Sequence, residues 1–296
     1  MSAPETLTAA TLAAASFTGP QLGVLGDPIA HSLSPAMHGA ALAALLPTHP
    51  ALAGWRYHRL HIAAAELPAA LRTLHAKGFR GLNLTVPHKV QALGLVESLS
   101  PEARRAASVN TLVATPTGWA GHTTDGQGFL AALRERAGRS VEGLPVVLLG
   151  AGGAARAVAA ACLDAGCASL AVHNRDEAKA AELATALADP RARGAGLAAL
   201  TDLPTGAIVV NCTTLGLKAD DPSPLGAVPL RPGHFVFDTT YAAAPSRLLR
   251  DAHAAGAAGC DGRPMLRWQG ALAFRLWTGV LPPAEPMRQA LSETAP

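Results

Sequence analysis

The chain has 296 residues, 49% hydrophobic and 15% charged, with 29 Gly and 23 Pro spread along it; that length suits about two domains of ~150 residues, and the composition excludes a disordered or fibrous chain. A formal net charge of +3 without any basic run excludes nucleic acid and anionic membrane as expected partners and leaves small anionic metabolites. The four cysteines, Cys162, Cys167, Cys212 and Cys260, form no CxxC pair and have no zinc-site spacing, so no metal is expected.

The first segment, residues 1–19, carries no Lys or Arg before its mild apolar stretch and so lacks the start of a signal peptide; it reads as a loose tail. Strands are expected over 21–25, 56–60 and 80–86, helices over 35–46 and 66–76, then short strands over 109–114 and 119–121 and a helix opening near Asp125. A second unit starts at Leu144 as strand, glycine turn, helix and strand, with later strands over 208–211 and 235–238. No run of ~18 apolar residues lacks Gly, Pro or charge, which argues against a spanning helix. Cysteines outside any framework suit a reducing, cytoplasmic location. Strands interleaved with helices imply an α/β protein with a parallel sheet and right-handed crossovers.

Residues 83–89 read NLTVPHK. In an extended chain alternate side chains share a face, so Asn83 and Thr85 point one way while Leu82, Leu84 and Val86 point the other. Pro87 stops the ladder and turns Lys89 onto the next helix. The segment offers an amide, a hydroxyl and an ammonium to one small polar ligand, or is a strand end with a solvated lysine.

The second unit opens with VVLLG, 146–150, followed by AGGAARAVAAACL. Gly150, Gly152 and Ala155 fit GxGxxG/A: a tight turn, close approach of a pyrophosphate, and close helix packing. The helix start then offers amides and a positive dipole end to phosphates. A structural glycine turn is the competing reading. About 20 residues on, where an NAD enzyme places an acid for the ribose, the strand ends in Asn174-Arg175, with Lys179 one turn further. Arg175 and Lys179 both suit a 2′-phosphate; Asp176 either accepts from a ribose hydroxyl or caps the helix.

The segments GDPIAHSLSPAMH (26–38), NLTVPHK, SVNTL (108–112), GHTTDGQGF (121–129), GAGGAARA (150–157), NCTTLGL (211–217) and DGRPMLRWQGALAFRLWTG (261–279) resemble, in order, the motifs of the shikimate dehydrogenase family. The resemblance covers residues 21–281 or so. It implies reduction of 3-dehydroshikimate to shikimate with NADPH, on the way to chorismate and the aromatic amino acids. It implies a substrate domain over 1–124, a Rossmann-type NADP domain over 125–261, and a C-terminal helical segment, 262–296, that returns to the first domain. A monomer or homodimer is expected.

Position by position, the resemblance implies that Ser32 and Ser34 hold the substrate carboxylate, that Asn83, Thr85, Asn110 and Gln269 bind ring hydroxyls, that Lys89 and Asp125 are the catalytic pair, and that Tyr241 lines the substrate site. NADP falls to Gly150, Ala151, Gly152, Gly153, Ala154, Asn174, Arg175, Lys179, Thr213, Thr239 and Gly262. Taken singly, Ser34 also reads as a helix cap, Gln269 as a surface residue and Tyr241 as a core ring. Independently of family, a ketone reduced by hydride becomes an alkoxide and needs a proton donor within ~2.6 to 3.2 Å. A lysine is protonated at neutral pH, a nearby carboxylate favours that form, and oxidation should improve at higher pH. Asp125 is the alternative base. His31, His38, His88 and His122 lie near the motifs without a pattern that makes any of them a better acid or base than Lys89.

This chain departs from the family at Thr123, where Asn is usual, in AAAPSRLL after Tyr241, with Ser246 in a threonine's place, and at Asp176, which replaces a threonine and bears on cofactor choice. An NAD-dependent quinate/shikimate dehydrogenase, a folate-linked dehydrogenase and a non-catalytic metabolite sensor are the rival readings. The serines of HSLSP suit a carboxylate better than a pterin, and the presence of both Lys89 and Asp125 argues against a sensor.

Overall fold

A computed structural model describes residues 6–294. By its contacts the chain divides into two units, the first comprising the described residues up to Thr124 and those from Gln269 on, the second Asp125–Trp268.

The first unit begins with β1 (Thr6–Thr8) and α1 (Ala9–Ala14). Residues 6–14 are thus not a loose tail: β1 pairs parallel with residues 59–61, Thr8 and Thr11 form a capping box, and Leu12 is buried. Residues 1–5 of the expected tail lie outside the described residues. Then come β2 (Gln21–Gly26), α2 (Ser34–Leu45), β3 (Arg56–His61), α3 (Leu67–Ala76), β4 (Phe79–Leu84), α4 (His88–Gln91), β5 (Ser98–Leu99), α5 (Pro101–Ala106), β6 (Thr111–Ala114) and β7 (Trp119–His122). They form a seven-stranded sheet, β1-β3-β2-β4-β6-β7-β5.

That sheet is mixed, which corrects the expectation of a purely parallel one. β6 runs antiparallel to both β4 and β7. The turn after β6 closes at once: Thr115 N–H donates to the Gly118 carbonyl at 2.9 Å and Gly118 N–H to Thr115 Oγ1 at 2.8 Å. A connection that short can join only antiparallel strands. Alternation along β4 sends Leu82 and Leu84 into a large core with Leu60, Leu71, Phe79 and Trp119. The opposite face carries Leu22, Val24, Ile29 and Tyr57, with Asn83 at its polar edge.

The second unit runs α6 (Asp125–Ala137), β8 (Pro145–Leu149), α7 (Gly153–Asp164), β9 (Ser169–Asn174), α8 (Glu177–Ala186), β10 (Ala192–Gly196), β11 (Ile208–Asn211), β12 (Phe235–Asp238), α9 (Arg247–Ala254) and β13 (Ala258–Cys260). Its sheet, β10-β9-β8-β11-β12-β13, is parallel at every pairing. Counted from β8, this is the doubly wound order 3-2-1-4-5-6, in which ligands bind where the order reverses, here between the ends of β8 and β11. Gly126 of α6 lets that helix lie on α7: a Cβ there would come 2.6 Å from the Ala157 carbonyl oxygen.

α10 (Arg263–Thr278) and α11 (Ala284–Ala290) complete the chain. Within the second unit, Arg267 is buried and paired with Glu135 of α6. Within the first, the Trp277 indole lies against Gly81, where a Cβ would come 2.1 Å from its Nε1, and donates to the Leu112 carbonyl at 2.9 Å. Among the described residues no helix is long and apolar enough to cross a membrane.

Candidate active site

In the first unit, buried polar groups collect where β4 and β6 meet the residues after β7. Tyr57 Oη donates to Asn83 Oδ1 at 2.8 Å, and Asn83 Nδ2 donates to the Asn110 carbonyl and to Thr111 Oγ1, both at 3.2 Å. Asn110 Oδ1 accepts from Thr124 N–H at 2.8 Å and Thr111 Oγ1 at 2.9 Å. Its Nδ2 donates to Thr124 Oγ1 at 3.0 Å and Gln269 Oε1 at 3.2 Å. Asn83, Asn110 and Gln269 are all buried, so the chain joins three of the expected substrate ligands in one network. Such a network fixes which way each amide faces, because a buried donor or acceptor left unmade costs about 1–3 kcal/mol. Gln269 is no surface residue.

Thr85 stands just beyond β4. Its carbonyl accepts from His88 N–H at 2.8 Å, which ends the strand two residues earlier than the sequence suggests and starts α4 with Lys89 in its first turn. The Lys89 carbonyl accepts from Val109 N–H at 2.8 Å, fixing α4 to the segment before β6. Gly26 makes room for Thr85, whose Cγ2 would lie 2.4 Å from a Cβ there.

Ser32 and Ser34 precede and open α2. The helix takes Leu33 as its N-cap and has no side-chain cap bond, so the cap reading of Ser34 is corrected: Ser34 is the first helical residue, 5% exposed. Ser32 Oγ accepts from Ser34 N–H at 3.3 Å.

His38 lies behind this face of the sheet, stacked on Tyr57 with centroids 4.3 Å apart and flanked by Phe274 and Trp277. Burial pushes its pKa down to about 3, against a smaller upward pull from Asn83. The fold holds the imidazole neutral, whereas the unfolded chain takes up a proton below ~6.5. The resulting contribution to stability is whole above that pH and is lost as pH falls toward 3. Replacement His38→Phe should therefore flatten the decline of urea-measured stability between about pH 6.5 and 5; pH profiles parallel to that of the unaltered chain would contradict this.

In the second unit, Gly150 has φ of +109°, and a Cβ there would come 3.0 Å from the Cys212 carbonyl group, so only glycine turns here. Gly152, the N-cap of α7, has open space where its Cβ would be, with no side-chain cap and no acidic residue in the helix's first turn. Ala151, Gly152, Gly153 and Ala154 thus lie at the positive end of a helix with no side chain capping it, the arrangement that suits a dinucleotide's phosphates. Thr213 is held by Asn211, to whose Oδ1 it donates through N–H at 3.0 Å and Oγ1 at 2.7 Å. Thr239 and Gly262 are in backbone contact: a Cβ on Gly262 would come 2.2 Å from the Thr239 carbonyl oxygen.

Past β9, Asn174 Nδ2 donates to the Asp176 carbonyl at 2.9 Å and Arg175 is exposed. Asp176 occupies the N-cap of α8 but its side chain makes no cap bond; it lies 3.6 Å from Lys179 Nζ instead. The two cations are therefore unequal, since Lys179 has a carboxylate beside it. Asp125 begins α6 and is 3% exposed, at the helix end where the dipole favours a carboxylate. Tyr241 has its phenol pKa raised by burial, opposed by the Arg263 charge. Sequence reasoning does not single out Tyr57, Thr111 or Thr124: Tyr57 and Thr111 reach Asn83 through strand register, with Asn83 paired to Thr111 across β4 and β6, and Thr124 bonds Asn110 from the connection between β7 and α6.

Residues 24–112 match the family model of the shikimate dehydrogenase substrate binding domain, 132–215 that of shikimate/quinate 5-dehydrogenase, and 262–291 that of the shikimate 5′-dehydrogenase C-terminal domain. A curated shikimate dehydrogenase (NADP(+)) of Rubrobacter xylanophilus is 42% identical over 276 residues, 92% of this chain and 95% of that one. Among solved structures, the shikimate 5-dehydrogenase of Thermus thermophilus in complex with NADP(H) and shikimate is 37% identical, with a TM-score of 0.76, covering 93% of this chain and 99% of that one. The ligand-free 5-ketofructose reductase of a Gluconobacter species is 33% identical, with a TM-score of 0.79, covering 94% and 99%.

Proposed function

The chain belongs to the shikimate dehydrogenase family, and we propose that it catalyses the reversible NADPH-dependent reduction of 3-dehydroshikimate to shikimate, a step toward chorismate and the aromatic amino acids. The observation that carries this reading is the buried amide network of Asn83, Asn110 and Gln269, a polar surface prepared for a small polyhydroxylated ring. Ser32 and Ser34 take the carboxylate. Asn83 Oδ1 has one lone pair beyond the Tyr57 bond and accepts from a ring hydroxyl; Thr85 and Gln269 supply further hydrogen bonds. Asn110 spends its amide inside the unit, so it acts by orienting Gln269. Tyr241 borders the substrate. Free cysteines support a cytoplasmic location.

When bound, NADPH supplies the hydride that reduces the ketone carbon. Lys89 gives its proton to the developing alkoxide and takes it back in the oxidative direction, with Asp125 as the second member of the acid–base pair. The glycine loop and the start of α7 receive the pyrophosphate, Thr213, Thr239 and Gly262 shape the nicotinamide side, and Asn174, Arg175 and Lys179 take the adenosine 2′-phosphate.

The test of this division of labour is the double replacement Ser32→Ala, Ser34→Ala. It should raise KM for shikimate by the loss of ~0.5–1.5 kcal/mol per neutral hydrogen bond, more for bonds to a charge, and leave the Kd for NADP unchanged. A parallel loss of NADP binding would place these serines wrongly.

Cofactor choice rests on Arg175, because Asp176 partly neutralises Lys179. Arg175→Ala should raise KM for NADP about tenfold or more, the worth of a hydrogen bond to a charged group, and barely affect NAD. Asp176→Thr should sharpen NADP preference by releasing Lys179. Steady-state kinetics with each cofactor check both; an Arg175→Ala variant that keeps its preference would overturn the assignment.

A further inference from the structure

The carboxylate subsite just proposed consists of neutral hydroxyls, yet the structure fastens a cation to it. Arg59 of β3 lies two residues beyond Tyr57 and so shares its sheet face. One of its terminal nitrogens donates to the Ser32 carbonyl at 2.9 Å. Ser32 N–H is held in turn by the Ile29 carbonyl at 3.0 Å, and Ser32 Oγ by Ser34 N–H at 3.3 Å. The segment carrying both serines is thereby pinned between the Ile29 carbonyl, in the turn after β2, and the guanidinium.

Two features say that the charge is for use rather than for fold. Arg59 makes no ion pair with any described carboxylate; Asp27, the carboxylate just after β2, is bonded to His61 at 2.8 Å. Its Nε–H is buried without a partner, a cost that packing alone does not require of a residue with one backbone bond to make. A methionine or glutamine would fill the space without a charge to desolvate.

We propose that Arg59 is a positioning and selecting residue for the substrate's anionic group: it holds the Ser32–Ser34 segment and supplies the positive potential that favours a carboxylate over a neutral polyol at the same serines. The guanidinium is bonded to the residue whose hydroxyl takes the anion, well inside the ~8 Å Debye length at physiological salt. Attraction at that range is worth about a tenfold change in affinity even when largely screened by water. This inference rests on the proposed function.

The experiment compares the unaltered enzyme with Arg59→Gln and Arg59→Lys, using shikimate and its uncharged methyl ester as substrates with NADP. For Arg59→Gln, KM for shikimate should rise about tenfold with kcat within about twofold, and the difference should shrink as NaCl is raised from about 50 to about 500 mM. KM for the ester should rise much less than KM for shikimate, the smaller rise reporting the lost hold on Ser32, and Arg59→Lys should restore most of the affinity for shikimate. Equal KM rises for acid and ester would reduce Arg59 to a structural prop and overturn the selecting role, as would an unchanged KM for shikimate. Failure of the unaltered enzyme to oxidise shikimate would overturn the functional reading and this inference together, whereas activity with an unaffected Arg59→Gln variant would overturn the inference alone. If Arg59→Gln fails to fold, the salt dependence and acid-to-ester ratio of Arg59→Lys decide the matter.

Discussion

Lys89→Ala lowers kcat by about 10² to 10⁴, the range for loss of a positioned acid or base, with the thermal midpoint little changed. The argument starts from the chain. β4 ends at Leu84, a turn closed by the Thr85 carbonyl and His88 N–H follows, and α4 presents Lys89 from its first turn. Its backbone is tied to Val109, so truncation beyond Cβ leaves the local frame intact. What it removes is the proton for the alkoxide. Lys89→Arg should not rescue turnover, because a guanidinium stays protonated in proteins. Steady-state kcat together with a melting curve decides; near-normal turnover in either variant would exclude Lys89 as the acid.

Glu135→Leu is expected to destabilise the second unit by about 3–5 kcal/mol, the range for breaking a buried ion pair by removing one member. One terminal nitrogen of Arg267 donates to both Glu135 carboxylate oxygens at 2.7 Å, and Trp268 Nε1 donates to the same carboxylate at 2.6 Å. Arg267 is 1% exposed and its guanidinium lies 5.2 Å from the Trp268 ring centroid. Removing the carboxylate takes both of these bonds and the ion pair away from a buried guanidinium. Replacing both members, Glu135→Leu with Arg267→Met, should recover most of the loss, since apolar packing commonly matches a buried pair. Urea titration of the variants checks this: a loss below about 1 kcal/mol for Glu135→Leu would mean that solvent reaches Arg267.

The site residues visible in the sequence are those whose neighbours in the chain also belong to the site. Alternation in 83–86 separates Asn83 from Leu82 and Leu84, and the strand–glycine–helix order picks out Gly150 and Gly152, because local geometry alone enforces both. What joins distant segments leaves no such trace. Tyr57 and Thr111 meet Asn83 only through the register of β3, β2, β4 and β6, and Glu135 and Arg267 each look like solvated helix charges until the two helices are packed. β10, whose sequence ARGAG lacks any β-branched residue, is invisible to propensity: its Gly194 is required by the α8 backbone, with a Cβ there 2.2 Å from the Ala180 carbonyl oxygen. β1 escapes for the opposite reason, being only a short run of Thr-Leu-Thr at a sheet edge. The role of Asp176 needs the structure because capping and ion pairing use the same residue at the same position.

The most direct measurement of the central claim is kcat/KM of the unaltered protein for shikimate and quinate, each with NADP and with NAD, alongside 5-ketofructose reduction with NADPH. The account predicts that shikimate with NADP gives the highest value, by about tenfold or more over shikimate with NAD, and that the uncharged ketose is the poorest substrate. Equal or higher values with NAD, or faster turnover of the ketose than of shikimate, would contradict it.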